Sequence, residues 1–348
     1  MTASFISTTS FINSGRSNWT QLRSEITDAN TEITTGRLAD VGLSLGASSG
    51  EGLTIRRQDA TLEALTTDDS TLTSTLDQSQ SALQNMATDA NAFMQALVSA
   101  PNGNTTPAVL QEQASSHLSA FIDAANTAVG GHYVFAGINT ANQPVKDFAT
   151  GGQPAVDAAF QAAFGFAPND PAAANITATQ MTDFLNNQFS ALFADPAWGA
   201  NWSTASNQNI TQQISPSENV TTSVNANSTA MRQLAMAYTM VAEFSTSNLN
   251  SDARNALISK ATSVIGSATT SLTTLQTQLG EVQSRVTEAN SQMTSNRDLL
   301  ATQLNSLEGV DPAEAKVRSD TYSNQLEMSY SLTTKLMSLS ILNYVPVG

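Results

Sequence analysis

The sequence predicts a mainly α protein: a long antiparallel helical bundle or coiled coil made by the N- and C-terminal segments, with a small inserted α+β or β-rich domain in the middle. Two seams and the texture between them predict it. From Ala261 the apolar residues keep a seven-residue rhythm through Ile265, Ala268, Leu272, Leu275, Leu279, Val282, Val286, Ala289, Met293, Leu300 and Leu307, with only Asn296 and Gln303 polar at seam positions. Such a stripe predicts a helix roughly 70 Å long at about 1.5 Å per residue, and it needs a long partner. Leu62, Leu65, Asp69, Leu72, Leu76, Ser79, Leu83, Met86, Ala90, Phe93 and Leu97 supply the second seam, which Pro101 and Gly103 end. The seams lie in opposite halves of the chain, so the residues between them must leave the bundle and return to it.

Composition agrees with thin seams rather than one thick core, since charged residues make up 12% of the chain and aromatics 6%. A net charge of -15, with 14 basic residues scattered along the chain, argues against nucleic acid, because phosphate binding needs clustered Lys and Arg. With no cysteine there is neither a disulfide nor a thiolate metal site. Phe5, Ile6, Phe11 and Ile12 stand among Ser, Thr and Asn, too polar for a secretory signal, and no apolar run is long enough to cross a bilayer. Export, if it occurs, is expected to use a dedicated route without cleavage, and no membrane partner is expected.

In chain order, Met1 to about Thr35 reads as a helix with Leu22, Ile26, Ala29 and Ile33 on one side. Its first twenty residues are rich in Ser, Thr and Asn and are expected to be disordered until something packs on them. Thr35 to Gly52 carries five glycines and reads as a connector, because a P-loop would need its Gly-Lys-Ser/Thr ending and a preceding strand. Thr106 to Val129 reads as an amphipathic helix stopped by Gly130-Gly131, and His132 to Thr140 as a strand or tight turn. Between Val145 and Val224, prolines and aromatics suggest a separate domain. Within it Met181 to Phe193 reads as a helix, and Ile210–Ile214 with Val220–Val224 as a hairpin. Helical rhythm resumes at Met231 and continues into the long seam. Asp311-Pro312 starts a last helix, unusually apolar for a chain end.

Catalysis needs convergent titratable groups, and none is apparent. His117 is expected to be solvated and His132 to sit at a helix end, with no His-Glu-x-x-His spacing for a metal. Asp68-Asp69 and the set Glu25, Asp28, Glu32 read as exposed carboxylates, except that Asp69, on the seam, is expected to set register or meet a subunit. No catalytic, cofactor or metal site is assigned, and an enzyme is not expected.

Four segments carry a family resemblance: Glu32-Ile-Thr-Thr-Gly-Arg37, Gly130-Gly-His-Tyr-Val-Phe-Ala-Gly-Ile-Asn-Thr140, Leu279-Gly-Glu-Val-Gln-Ser-Arg285 and Leu339-Ser-Ile-Leu-Asn-Tyr-Val345. Over residues 1 to 145 and 230 to 348 the chain resembles the bacterial flagellin family, in its hook-associated branch. The segment at 130 to 140 is the most specific, and the Ser-Ala-x-Asp-Asp-Ala run of filament flagellins is missing. The resemblance implies terminal helices at 1-35 and 322-348 that form an inner coiled-coil tube on assembly, a helical rod from 36-145 and 231-321, and an inserted outer domain at 146-230. It implies a secreted, extracellular adaptor at the hook-filament junction: a homo-oligomer joining another hook-associated protein to flagellin, carried beforehand by a flagellar export chaperone. Leu326, Tyr330, Leu332, Leu336, Leu339, Leu342 and Tyr344 are then the expected assembly and chaperone surface, with Leu22, Ile26 and Ile33 on the N-terminal assembly helix. A filament flagellin, or a secreted effector or adhesin binding through the inserted domain, are the alternative readings.

Overall fold

Long helices dominate the chain. The computed structural model describes residues 8–100, 106–245 and 248–342, with the side chains of 8–12 and 336–342 left out of account. The helices are α1 (Thr8–Thr35), α2 (Val41–Leu45), α3 (Ser49–Ser99), α4 (Pro107–Ala125), α5 (Gly152–Phe164), α6 (Ala178–Phe184), α7 (Ala197–Asn201), α8 (Thr229–Phe244), α9 (Ser251–Glu308) and α10 (Pro312–Leu342). Two small antiparallel hairpins complete the fold, β1 (Ala128–Val129) with β2 (His132–Tyr133), and β3 (Thr211–Ser215) with β4 (Glu218–Thr221). The chain divides into two compact units, residues 1–63 with 293–348, and residues 64–292. The boundaries expected at 145/146 and 230/231 do not coincide with this division, which falls within α3 and α9.

In a chain this rich in Ser and Thr, many hydroxyls are satisfied within the helices that carry them. Thr20, Thr27, Thr31, Thr34 and Thr35 each donate to the carbonyl four residues back, so these side chains do not compete with α1's own ladder. Of the stretch expected to be disordered until something packs on it, the residues from Thr8 onward are helical, with α10 packed against Trp19. The glycine-rich connector is shorter than expected. Gly36 and Gly46 take left-handed φ of 66° and 52°, whereas Gly50 and Gly52 already lie in α3.

In the larger unit, the predicted seam is the core. Leu72, Leu76, Leu83, Met86, Ala90, Phe93 and Leu97 of α3 are buried, as are Ala261, Ile265, Ala268, Leu272, Leu279, Val282, Val286 and Ala289 of α9. Polar bonds along its edge show the direction: Gln283 Nε2 donates to Asp77 Oδ1 at 2.7 Å, Gln80 Nε2 to the Gln276 carbonyl at 2.8 Å, and Gln276 Nε2 to Gln84 Oε1 at 3.1 Å. Numbers rise on α3 as they fall on α9, so the pair is antiparallel. Beyond Met293 the seam lapses, with Asn296 and Gln303 exposed.

α4 and α8 pack antiparallel in the same core, held by Gln111 Nε2 on the Ala242 carbonyl at 2.7 Å and Ser245 Oγ on the Pro107 carbonyl at 3.0 Å. α8 ends at Phe244 and α9 begins at Ser251, so the expected unbroken helix is interrupted there. The middle segment, inserted between α4 and α8, packs its apolar residues onto this core. Phe244 at the end of α8 meets Phe160 of α5 at 5.2 Å, Phe184 of α6 at 5.8 Å and Phe189 at 5.7 Å. The helix read at Met181 to Phe193 is α6 followed by one π turn, Leu185–Phe189, which turns Leu185 and Phe189 into the core. Trp198 and Trp202 stack at 5.7 Å, and Trp202 lies so close over Gly152 that a Cβ there would meet its ring at 2.3 Å.

Gly130 and Gly131 do not stop a helix. α4 ends at Ala125, and the two glycines, at φ 59° and 85°, form the two-residue turn of the β1–β2 hairpin, which needs positive φ at both positions. The following residues stitch the exit of the middle segment to its return. Ser206 N–H donates to the Ala136 carbonyl at 2.9 Å, Ile138 N–H to the Gln208 carbonyl at 3.0 Å and Ala226 N–H to the Phe135 carbonyl at 2.8 Å. Gly137, at φ 61°, has the Gln208 carbonyl 2.5 Å from where a Cβ would stand, so no larger residue fits.

Phe244→Ala is expected to cost about 3–5 kcal/mol, because it removes a fully buried ring from the centre of the aromatic cluster. Denaturant unfolding followed by tryptophan fluorescence measures this; a loss under about 1 kcal/mol contradicts the role given to Phe244.

Candidate assembly interface

The smaller unit is built on α1 and α10, which run antiparallel. Trp19 Nε1 donates to Ser329 Oγ at 2.9 Å, its ring lies 4.7 Å from that of Tyr330, and Arg23 Nη2 donates to the Tyr330 hydroxyl at 2.9 Å. Further along, Ser319 Oγ donates to Asn30 Oδ1 at 3.1 Å and Arg318 Nη2 to Glu32 Oε2 at 2.7 Å. Ala29 and Ala315 are buried where the helices come together.

Leu22, Ile26 and Ile33 share the stripe of Ala29 and are half-buried. Leu326 and Tyr330 lie on α10's corresponding face and are also half-buried. These five predicted interface residues therefore serve first in a seam within the chain. Leu332 is different, 59% exposed on another side. It continues a stripe with Val317 and Met328, each 65% exposed, at spacings of eleven and four residues that return to the same side of a helix after three turns and then one. α10 thus keeps three exposed apolar residues on a side that α1 does not cover, among exposed polar residues such as Thr321 and Asn324. Leu336, Leu339 and Leu342 belong to α10 with side chains outside the described set, and Tyr344 lies outside the described residues. Sequence reading missed Val317 and Met328 because Val317 sits between Lys316 and Arg318, in a stretch that looks like a solvated surface.

A buried ionic knot anchors the pair. Glu308, 1% exposed at the end of α9, accepts through Oε2 from both Arg37 and Arg56. Beside it the Leu38 N–H donates to the Glu308 carbonyl at 2.9 Å and the Val310 N–H to the Gly36 carbonyl at 2.9 Å. Burial alone would raise the Glu308 pKa, but the hydrogen bonds and charges of Arg37 and Arg56 bring it below the ordinary carboxylate value. Glu32, expected to be solvated, is instead buried: Oε2 pairs with Arg318 and Oε1 accepts from the Ala39 N–H at 3.3 Å. The segment Glu32 to Arg37 thus ties the α1–α2 turn to the α9–α10 turn.

Elsewhere the titratable residues serve packing. His117 is half-buried rather than fully solvated, because its ring stacks 5.8 Å from Tyr238 and lies 5.4 Å from Phe93, and this burial lowers its pKa against the opposing pull of Asp89. His132 lies in β2 rather than at a helix end, with Nδ1 3.2 Å from Thr140 Oγ1. It borders an open cleft of about 590 Å³ between α3 and the two hairpins, whose lining hydroxyls include Thr71, Thr75, Tyr133 and Ser223. Among the described residues no three His, Cys, Asp or Glu side chains cluster as a metal site would require, and no helix is long and apolar enough to cross a membrane.

Paired terminal helices and two long antiparallel helices define a mainly α-helical structural class of protein. Residues 6–140 match the bacterial flagellin N-terminal helical region and residues 262–345 the bacterial flagellin C-terminal helical region, together more than half of the sequence. The chain belongs to the bacterial flagellin family, whose members are structural proteins of the bacterial flagellum. A solved structure described as a flagellar hook-associated protein from Vibrio parahaemolyticus is 11% identical, with a TM-score of 0.53 over 75% of this chain and 97% of that one, which shows a shared fold. Comparison with curated proteins gives no match.

Glu308→Gln is expected to lower stability by about 1–3 kcal/mol near neutral pH, since two guanidiniums lose their shared charge. A depressed carboxylate stabilises the fold above its unfolded pKa, and that contribution disappears as pH falls through the lower folded value. The variant should therefore lose part of the wild type's acid sensitivity. Denaturant midpoints between pH 2 and 7 check both; parallel pH profiles for the two proteins contradict the assignment.

Proposed function

We propose that this flagellin-family subunit is the adaptor at the hook-filament junction, assembling as a ring or short helical zone between another hook-associated protein and flagellin. The observation that supports assembly is the set of exposed apolar residues on α10: Val317, Met328 and Leu332 stay in water after α1 has covered the opposite side, and a neighbouring copy would remove them from it. Two features support the junction over the filament. The segment Gly130–Thr140, stitched into 203–226, resembles the hook-associated branch, and the fold is shared with a protein described as hook-associated. The acidic, cysteine-free chain fits delivery outside the cell through the flagellar export channel, with a chaperone shielding the apolar C-terminal helix beforehand. Leu326 and Tyr330 would then contact the chaperone before α1 pairs with α10, and the outer stripe would make the contacts between copies. A filament flagellin remains the second reading, favoured by the family match itself.

Two experiments test this. Immunogold labelling of intact flagella is expected to mark a short zone beyond the hook; label along the whole filament establishes the second reading. Replacing Val317, Met328 and Leu332 together by Asp is expected to leave the circular dichroism spectrum and the Trp19–Tyr330 pairing intact while filament attachment is lost. Normal attachment in that variant contradicts the role of the outer stripe.

A further inference from the structure

Asp69 is the misfit of the α3 seam. It is 0% exposed, and neither carboxylate oxygen has a hydrogen-bond partner among the described residues. No ion pair reaches it among those residues either. Its charged neighbour on α3 is Asp68, of the same sign and exposed. From the Asp77–Gln283 contact, eight residues back along α3 corresponds to eight forward on antiparallel α9, level with about Ser291. The charged residues of α9 on the approach to that level, Arg285 and Glu288, are exposed, and Arg285 pairs with Glu218. The buried α9 residues there, Val286 and Ala289, are apolar. On the hairpin side, His132 borders the same cleft as Asp68 and bonds to Thr140. Asn290, half-buried at the same level of α9, is a polar residue within the seam, and among the described residues no side chain donates to the Asp69 carboxylate.

We propose that Asp69 makes the α3–α9 seam a proton-dependent joint, closed most firmly while its carboxyl is neutral and opening locally more often once it ionises, because the open state supplies the carboxylate with water that the closed seam excludes. Burial, and secondarily the charge of Asp68, push its pKa from 3.8 up to about 6, in keeping with this. The sign follows: a raised folded pKa favours the protonated fold, so stability is greatest below 3.8, falls as pH rises, and has lost the whole contribution above about 6. A register-setting polar residue would pair with a group across the seam, which Asp69 does not.

Native-state hydrogen exchange on the full chain tests the joint, with peptides covering residues 65–76 and 283–292 followed from pH 4 to 8 and corrected for intrinsic exchange. The opening constant of the wild type is expected to rise about 100-fold between pH 4 and 7 and then level off. Asp69→Asn and Asp69→Leu are expected to abolish that rise, with Asp69→Leu at least as protected at pH 7 as the wild type at pH 4. A pH-independent wild type, or an Asp69→Asn variant that keeps the rise, overturns the proposal. Should either variant fold poorly, carbon-13 NMR titration of the Asp69 carboxyl in the wild type decides: ionisation near 6 supports the joint, and ionisation near 3.8 overturns it.

Discussion

Burial of one narrow apolar stripe on α3 against another on α9 is the interaction on which the larger unit depends. Gln283 and Asp77 touch across 206 residues of sequence, so the seam closes a very large loop. The entropic cost of closure grows only logarithmically with loop length, whereas each further heptad adds buried apolar area in proportion. A long seam can therefore hold α4, the middle segment and α8 within one excursion of the chain. Phe244 then extends the core outward, because a ring at the end of α8 touches α5, α6 and the π turn together.

The smaller unit is held by a different force. Its half-buried leucines and isoleucines stabilise little when one partner helix covers them, and much of its definition comes from directional polar contacts: Trp19 with Ser329, Arg318 with Glu32, and two arginines on Glu308. Charge-assisted bonds of this kind fix geometry more than they add stability. That suits an element which holds its shape within the chain while leaving apolar residues exposed on its other side. Leaving Val317, Met328 and Leu332 in water is unfavourable for a monomer and favourable for a subunit.

Asp69 breaks the local rule of its seam, since its carboxylate is buried there without a hydrogen-bond partner among the described residues. Ser79, the other polar residue on the α3 seam, is satisfied within its own helix by the Thr75 carbonyl at 2.8 Å. The contrast separates a polar residue that a helix absorbs from one that it cannot.

The sequence by itself determined the long helices, the antiparallel pairing of the two seams, the β3–β4 hairpin and the family, because periodicity and turn chemistry act over a few residues and leave a direct trace in the chain. It misplaced Glu32 and His117 on solvated surface, since helical spacing says which residues share a face and not which neighbour covers it. It likewise grouped Leu326 and Tyr330 with Leu332, though they lie on different sides of α10. Which apolar face α1 covers, the capture of Glu308 by Arg37 and Arg56, and the orphaned carboxylate of Asp69 depend on contacts between residues far apart in the chain. Only the tertiary structure decides those, because burial is a property of the partner as much as of the residue.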